Sequence, residues 1–243
     1  SAADVAFSLN RALDPATAGG DASALAAPTF LSDIVGAKEL LSGDADSLSG
    51  VRVIDDLTLE IDLVAPRSTF LMRLATGPAV VVDPDDVDRG DGWWTDPNSS
   101  GGFVIDSFDI ESGMVLEPND EFYAGPPDLD EVHVLLGANA FQPLNLYQVG
   151  VVDLAPVSVF SLDRALDPSS DLYADLQQSD LFAVEYLAMR SDVEPLNDAN
   201  IRRALILGFP REKVAEVSFD GRVAPALGFL PNGMLGQATW PVA

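Results

Sequence analysis

Between residues 51 and 63 the hydrophobic spacing changes to alternation, interrupted at Asp55-Asp56, in a chain that opens with helical spacing. Two periods in one sequence exclude both an all-helical and an all-β fold. Val51 and Val53, then Leu57, Leu59, Ile61 and Leu63, alternate on either side of Asp55-Asp56. That pattern predicts a β-hairpin turning at the aspartates. The opening is different in kind. Ser1 with Asp4 three residues on forms a capping-box-like start, and Val5, Leu9, Ala12 and Leu13 follow one helical stripe until Asp14-Pro15 stops it.

The mixture continues along the chain. After a loose Ala, Gly, Ser and Asp region come an apolar patch, Phe30 to Val35, and a helical stretch from Ala37 to Leu41. Pro66 to Leu74 returns to helical spacing. Residues 83 to 101, dense in Asp, Gly, Pro and Ser, form the expected lobe boundary. Beyond it Phe103, Ile105 and Phe108 alternate, Glu111-Ser112-Gly113 supplies a turn, and Met114 and Leu116 alternate again, a second hairpin. Short strands are expected at 132–136, 151–154 and 181–189. Helices are expected at 140–149, with Pro143 in the first turn, at 158–166, and at 200–207 with Asn197, Asp198 or Asn200 as cap. The class is mixed α/β. Ser8 to Pro15 echoes Ser161 to Pro168, which is too short for a structural repeat and reads as two helices that end alike, because proline disfavours helical backbone at the residue before it.

Charge narrows the partners. The 243 residues carry 39 Asp and Glu against 13 Lys and Arg, a formal net charge of −26. Such a surface repels phosphate backbones and anionic headgroups, which argues against nucleic acid and membrane surfaces. With 47% hydrophobic and 21% charged residues the chain has ample material for a core. Only Lys38 and Lys213 are lysines, and acid excess with so little lysine reads first as solubility in salt. No run approaches the roughly 18 apolar residues of a membrane span, so no direct membrane insertion is expected. The start inside a helix and the end at Trp240-Pro241-Val242-Ala243, without a closing element, read as an internal piece of a longer protein.

Catalytic and metal chemistry find little purchase. The absence of cysteine removes thiolate nucleophiles, zinc-thiolate sites and disulfides together. Asp83, Asp85, Asp86, Asp88 and Asp91 are the obvious calcium ligands, yet counting from Asp86 the sixth position lacks glycine and the twelfth is Pro97. A solvated acidic loop is the expectation, with no metal. His133 is the single histidine, lies in a strand pattern, and has no G-x-S-x-G elbow to serve. With 39 acids, any chosen carboxylate pair is uninformative about glycoside chemistry. No glycine pattern fits a nucleotide. Trp93-Trp94, within a polar loop, could stack on a ligand but reads rather as an apolar pin for that loop.

Several stretches taken in order resemble the family 5 solute-binding proteins of bacterial ABC transporters, the group with oligopeptide-, dipeptide- and nickel-binding members. Ala3-Asp4-Val5-Ala6-Phe7-Ser8 through Arg11 looks like that family's opening helix, and Gly50-Val51-Arg52-Val53 with Asp55-Asp56-Leu57-Thr58 like its hairpin. The proline-led helix from Pro66 follows, then the Gly101-Gly102-Phe103 turn and the segment from Leu116 to Gly125. Gly150-Val151-Val152-Asp153, Pro195-Leu196-Asn197-Asp198 with Ile201-Arg202-Arg203-Ala204-Leu205, and Gly221 to Pro231 complete the series. Departures are Pro118 for a basic residue, Val151 for Glu, Pro210 for Asp, and Arg190 where Asn is common.

The resemblance implies an incomplete two-lobed, type II periplasmic-binding-protein-like fold. Residues 1–101 would be a small α/β portion of the first lobe, 102–180 its central sheet portion, and 181–243 a hinge strand and the start of the second lobe. It implies a non-enzymatic protein without cofactor, periplasmic or extracellular and tethered through an N-terminal part absent from this sequence. The partners implied are a peptide or similar small solute and ABC permease subunits. Tyr186, Phe182, Val157 and Ser158 would face the ligand, whose identity stays open among peptide, nickel complex and sugar. A sensor or chaperone on the same fold, or a carboxylate-dependent hydrolase, are the rival functions.

Overall fold

The computed structural model describes the chain except residues 159, 180, 227, 232–233 and 235–243. It forms two compact units, Ser1–Pro156 and Val157–Ala243. The sequence's end at Trp240 to Ala243 lies outside the described residues.

In Ser1–Pro156 the first helix, α1 (Ala2–Leu13), starts with the expected capping box: Ser1 Oγ accepts from the Asp4 N–H, and Asp4 Oδ2 accepts from the Ser1 nitrogen at 2.5 Å. Its stripe buries Leu9 and Leu13, with Val5 and Ala12 partly covered. Those leucines meet Ala27, Leu31, Ile34, Ala37, Leu40, Leu48 and Phe70 in one cluster. Leu31 comes from α2 (Pro28–Leu31), Ala37 and Leu40 from α3 (Ala37–Ser42), Phe70 from α4 (Phe70–Arg73), and Ala27, Ile34 and Leu48 from the connections. Val51, Leu59, Ile61 and Leu63 pack on it from the first hairpin, β1 (Val51–Asp55) with β2 (Thr58–Ile61), paired antiparallel as Val51↔Ile61 and Val53↔Leu59. Leu57 departs from the alternation. It sits in the turn, 92% exposed, because Asp55 Oδ1 accepts its N–H at 2.9 Å and bends the chain there.

Polar side chains fasten this core. Ser8, buried on α1, accepts from the Val82 N–H at 2.9 Å and donates to the Asp4 carbonyl at 2.7 Å. Asp33 is 9% exposed and accepts from Arg67 Nε at 3.0 Å and from Arg73 at 2.9 Å, tying the chain after α2 to α4 and its approach.

The second sheet has the order β3-β4-β5, all antiparallel, from β3 (Phe103–Asp109), β4 (Gly113–Pro118) and β5 (Val132–Leu135). The β3–β4 turn falls at Glu111-Ser112 as expected. Asp109 Oδ1 closes it by accepting from both amides at 2.8 Å. Gly113 opens β4 with φ 143, and a Cβ there would lie 2.2 Å from the Val134 carbonyl oxygen of β5. Only a residue without side chain lets the two strands approach at that point. Before this sheet stands α5 (Pro84–Val87); after it comes α6 (Pro143–Gln148), with Pro143 in the first turn.

Among the described residues of Val157–Ala243 the helices are α7 (Leu162–Leu166), α8 (Ala199–Gly208) and α9 (Arg211–Ser218). Asp198 caps α8, accepting from the Asn200 N–H at 2.7 Å. The echo between the two ends of the chain is local geometry: Asp14 after α1 has ψ 118, and Asp167 after α7 has ψ 117, each extended before its proline.

Two expected strands do not form. Residues 151–154 and 181–189 carry no β pairing among the described residues, and Leu154 and Leu181 are exposed. Apolar spacing marks a segment fit for a sheet, but a strand exists only when a neighbour supplies its hydrogen bonds. At 151 the chain instead closes α6, with the Val151 N–H donating to the Leu146 carbonyl. The helix α9 was not anticipated, because its polar run Arg211-Glu212-Lys213 after Pro210 lacks an apolar stripe.

Candidate functional site

The four residues expected at the ligand all lie in Val157–Ala243. Phe182 and Tyr186 stand on an irregular stretch and are 58% and 64% exposed. Ser158 is exposed and Val157 half-buried. The Ser158 carbonyl accepts from the Ser161 N–H at 3.1 Å and its hydroxyl lies 2.9 Å from that of Ser161, so both groups are engaged in the turn that leads to α7. Among the described residues no hydrogen bond or ring contact joins Phe182, Val157 or Ser158 to Tyr186. What Tyr186 does meet is Phe229, edge to face, with ring centroids 5.5 Å apart and planes at 71°. Phe229 is a residue that sequence reasoning missed. Its one signal was an aromatic beside Gly228 in the Gly221 to Pro231 stretch.

Arg190, which departs from the expected motif, pairs with Asp192 at 2.5 Å. The hydrogen bond to Asp192 raises the already high pKa of the guanidinium, and the same bond holds the Asp192 carboxyl below the usual carboxylate range. Both side chains are exposed, and the pair is a local clasp of the loop before α8.

The other candidates are in Ser1–Pro156. In the acidic loop, Asp83 caps α5 by accepting from the Asp85 N–H at 2.9 Å and also takes the Asn98 side-chain amide at 2.8 Å. Asp86, buried, accepts from the Asn98 N–H at 2.5 Å and pairs with Arg89 at 3.1 Å. These carboxylates fold the loop. Among the described residues no group of three His, Asp or Glu side chains is placed to hold a metal ion. Trp93 lies under the Arg11 guanidinium, 5.4 Å from its ring centroid, and Trp94 meets Phe108 of β3 edge to face at 5.2 Å. The pair pins the loop to α1 and to the second sheet, as the apolar-anchor reading requires. His133 is exposed on β5 and bonded to Glu131 at 2.7 Å. A recess of about 220 Å³ beside it, lined by Ser107, Asp109, Met114 and Leu135, is smaller than ordinary ligand clefts of roughly 300–1,000 Å³.

Comparison with known proteins gives a consistent result. The family described as bacterial extracellular solute-binding proteins, family 5 Middle, matches residues 1–243. The probable deoxycholate-binding periplasmic protein YgiS of Escherichia coli is 31% identical over 241 residues, which cover 97% of this chain and 43% of that protein. The periplasmic oligopeptide-binding protein OppA of Escherichia coli is 26% identical over 253 residues, 98% of this chain and 45% of its own. Among solved structures, the Escherichia coli murein tripeptide binding protein MppA superposes with a TM-score of 0.75 at 22% identity, over 99% of this chain and 47% of that one. The likeness shows the fold, the mixed α/β type II architecture of periplasmic binding proteins. The chain spans less than half the length of these relatives.

Proposed function

The chain belongs to the bacterial extracellular solute-binding proteins of family 5, and from that premise we propose that the whole protein captures a peptide outside the cytoplasmic membrane and delivers it to an ABC permease. The observation that carries this is the family match across residues 1–243. Its relatives are solute-binding proteins rather than enzymes, and YgiS and OppA are periplasmic by name. Among the described residues no helix is long and apolar enough to cross a membrane. We place the protein in the periplasm or outside the cell, tethered through a part beyond this sequence.

Capture in this reading is closure of two lobes on the solute, driven by contacts made only in the closed state. Residues 1–101 and 102–180 are assigned to the first lobe and 181–243 to the hinge and the start of the second. The paired, exposed rings of Tyr186 and Phe229, with Phe182 nearby in sequence, offer apolar faces and one hydroxyl, which suits a peptide side chain; Val157 and Ser158 would add backbone groups.

A second reading has one observation in its favour, the deoxycholate named for the 31% identical relative. Charge favours the first. At −26 the chain opposes an anionic steroid acid at long range and favours a peptide with a free ammonium group. Mass spectrometry of the solute carried by the full-length protein tests the choice: peptides are expected, deoxycholate would install the second reading, and cleaved peptide products would overturn a binding role. In titration calorimetry with a recovered peptide, Tyr186→Ala should weaken affinity by more than about 1 kcal/mol while unfolding stays cooperative. Unchanged affinity would remove Tyr186 from the site.

A further inference from the structure

Two Asp-Gly pairs occur in the sequence, Asp91-Gly92 in the acidic loop and Asp220-Gly221 after α9. Their chemistry is the same and their surroundings are opposite. Asp220 gives its carboxylate to Arg222 at 3.0 Å, and the Gly221 N–H donates to the Ala215 carbonyl at 2.9 Å, closing the end of α9. Asp91 is exposed at one centre of the turn that the Trp93 N–H closes on the Gly90 carbonyl at 3.2 Å, with Gly92 as the other centre at φ 86. Among the described residues neither the Asp91 carboxylate nor the Gly92 N–H makes a hydrogen bond or ion pair. The turn therefore leaves a free carboxyl group beside a free amide nitrogen, and glycine adds no side chain to obstruct their approach.

We propose that Asp91 is a site of spontaneous backbone modification, converted to isoaspartate through a cyclic imide with Gly92, and that the fold protects Asp220 from the same reaction. The Gly92 nitrogen bonds to Cγ of Asp91 and gives up its proton while a carboxyl oxygen leaves as water. Water then opens the ring at either carbonyl. Opening at Cγ restores aspartate, whereas opening at the main-chain carbonyl carbon leaves the chain running through Cβ and Cγ, one atom longer, with the former main-chain carbonyl as a free carboxylate. Nothing is oxidised or reduced, and water is the only co-reactant. At the other pair the Gly221 nitrogen must first release the Ala215 carbonyl, and Asp220 its arginine. The added atom falls just ahead of Trp93 and Trp94, so the product lengthens the turn that sets the pin on Arg11 and Phe108.

The test incubates the full-length protein for weeks at neutral pH, once folded and once in denaturant, and locates isoaspartate by electron-transfer fragmentation of its peptides. In the folded protein isoaspartate should accumulate at Asp91 several times faster than at Asp220, and in denaturant the two rates should converge. Equal rates in the folded protein, or isoaspartate at neither position while the denatured chain forms it, would overturn the proposal. A gap that persists in denaturant would place its cause in local sequence and overturn the protective role of the fold. Asp91→Glu, whose longer side chain would have to close a less favourable ring, should abolish the product there and leave unfolding unchanged; a surviving signal would count against Asp91. Asn232-Gly233, outside the described residues, is told apart by mass, since loss of its amide changes the mass of the peptide and isomerisation does not. In the fraction carrying isoaspartate the amides of Trp93 and Thr95, which donate to the Gly90 and Gly92 carbonyls, should exchange faster with solvent. Unchanged exchange would overturn the effect on the pin.

Discussion

In Ser1–Pro156, nine buried apolar residues from four helices and their connections close on one another with a hairpin laid against them. Among the described residues of Val157–Ala243 the buried apolar ones are Ala165, Leu172 and Ala215, while Phe182, Tyr186, Leu187, Leu205, Ile206 and Phe229 remain exposed. The second unit is not poorer in apolar side chains. It differs in where the partners come from. Leu9 and Leu13 find Leu31, Ile34 and Leu40 within the next few turns of chain, whereas α8 finds no such partner among the described residues. A core requires complementary faces, and hydrophobic content alone does not provide them.

The strongest break of this contrast is cooperativity itself. Residues 1–243 produced alone should bind a hydrophobic dye at room temperature and unfold over a broad range, because the second unit presents uncovered apolar surface. A sharp transition without dye binding would show that the second unit closes by itself. Next in size is Leu31→Ala in the full-length protein. Leu31 is fully buried, and its truncation should cost about 2–5 kcal/mol by chemical denaturation. Leu57→Ala, at 92% exposure, should stay within about 0.5 kcal/mol, and equal losses would mean that apolar identity rather than burial sets the difference.

A smaller effect is expected at Gly113. Gly113→Ala forces a methyl group against the Val134 carbonyl and should cost more than about 1 kcal/mol. The amides of Val132 to Leu135 should lose protection while α1 keeps its own. Loss at both would merge the sheet and the helical core into one cooperative unit. The smallest effect is a pH response in the β3–β4 turn. The amides of Glu111 and Ser112 hold the Asp109 carboxyl below its ordinary range. A carboxyl lowered in the folded state contributes stability above its unfolded pKa, near 3.9, and loses that contribution as pH falls through the folded value. The amide chemical shifts of Glu111 and Ser112 should therefore hold steady from neutrality to about pH 4 and move below it. Asp109→Asn should remove the response, and a shift near pH 6 would assign it to another group.

The legible parts of the fold are those whose causes are local. The Ser1–Asp4 capping box, the Asp55-Asp56 and Glu111-Ser112 turns, Pro143 in a first turn and the Asp198 cap each follow from contacts a few residues apart. Residues 151–154 and 181–189 read as strands for the same reason and did not form, since alternation shows which side chains suit a sheet but not whether a neighbour is present. The candidate site divides in the same way. Tyr186 could be named from its place in a recognisable segment. Phe229, distant in sequence, is joined to it only by the folded chain, and no pattern in either segment specifies the other. The tryptophan pin falls between, because a Trp-Trp pair in a polar loop demands an anchor but does not say that Arg11 and Phe108 provide it.

The acidity has a further consequence. Asp14, Asp21, Asp55, Asp83, Asp109, Asp167 and Asp198 each accept from the backbone N–H two residues on, at 2.7–2.9 Å. Such a bond needs the short reach of aspartate and closes a ring too small to carry much loop entropy. It also depends on direct donor contact rather than on a long-range field, so dissolved salt weakens it little. Aspartate in this chain therefore acts as punctuation as well as charge. Replacing any of these seven by glutamate would leave every count of net charge unchanged and still erase a stop or a corner. A sequence comparison that treats the two acids as equivalent would overlook the positions where this polypeptide is told to turn.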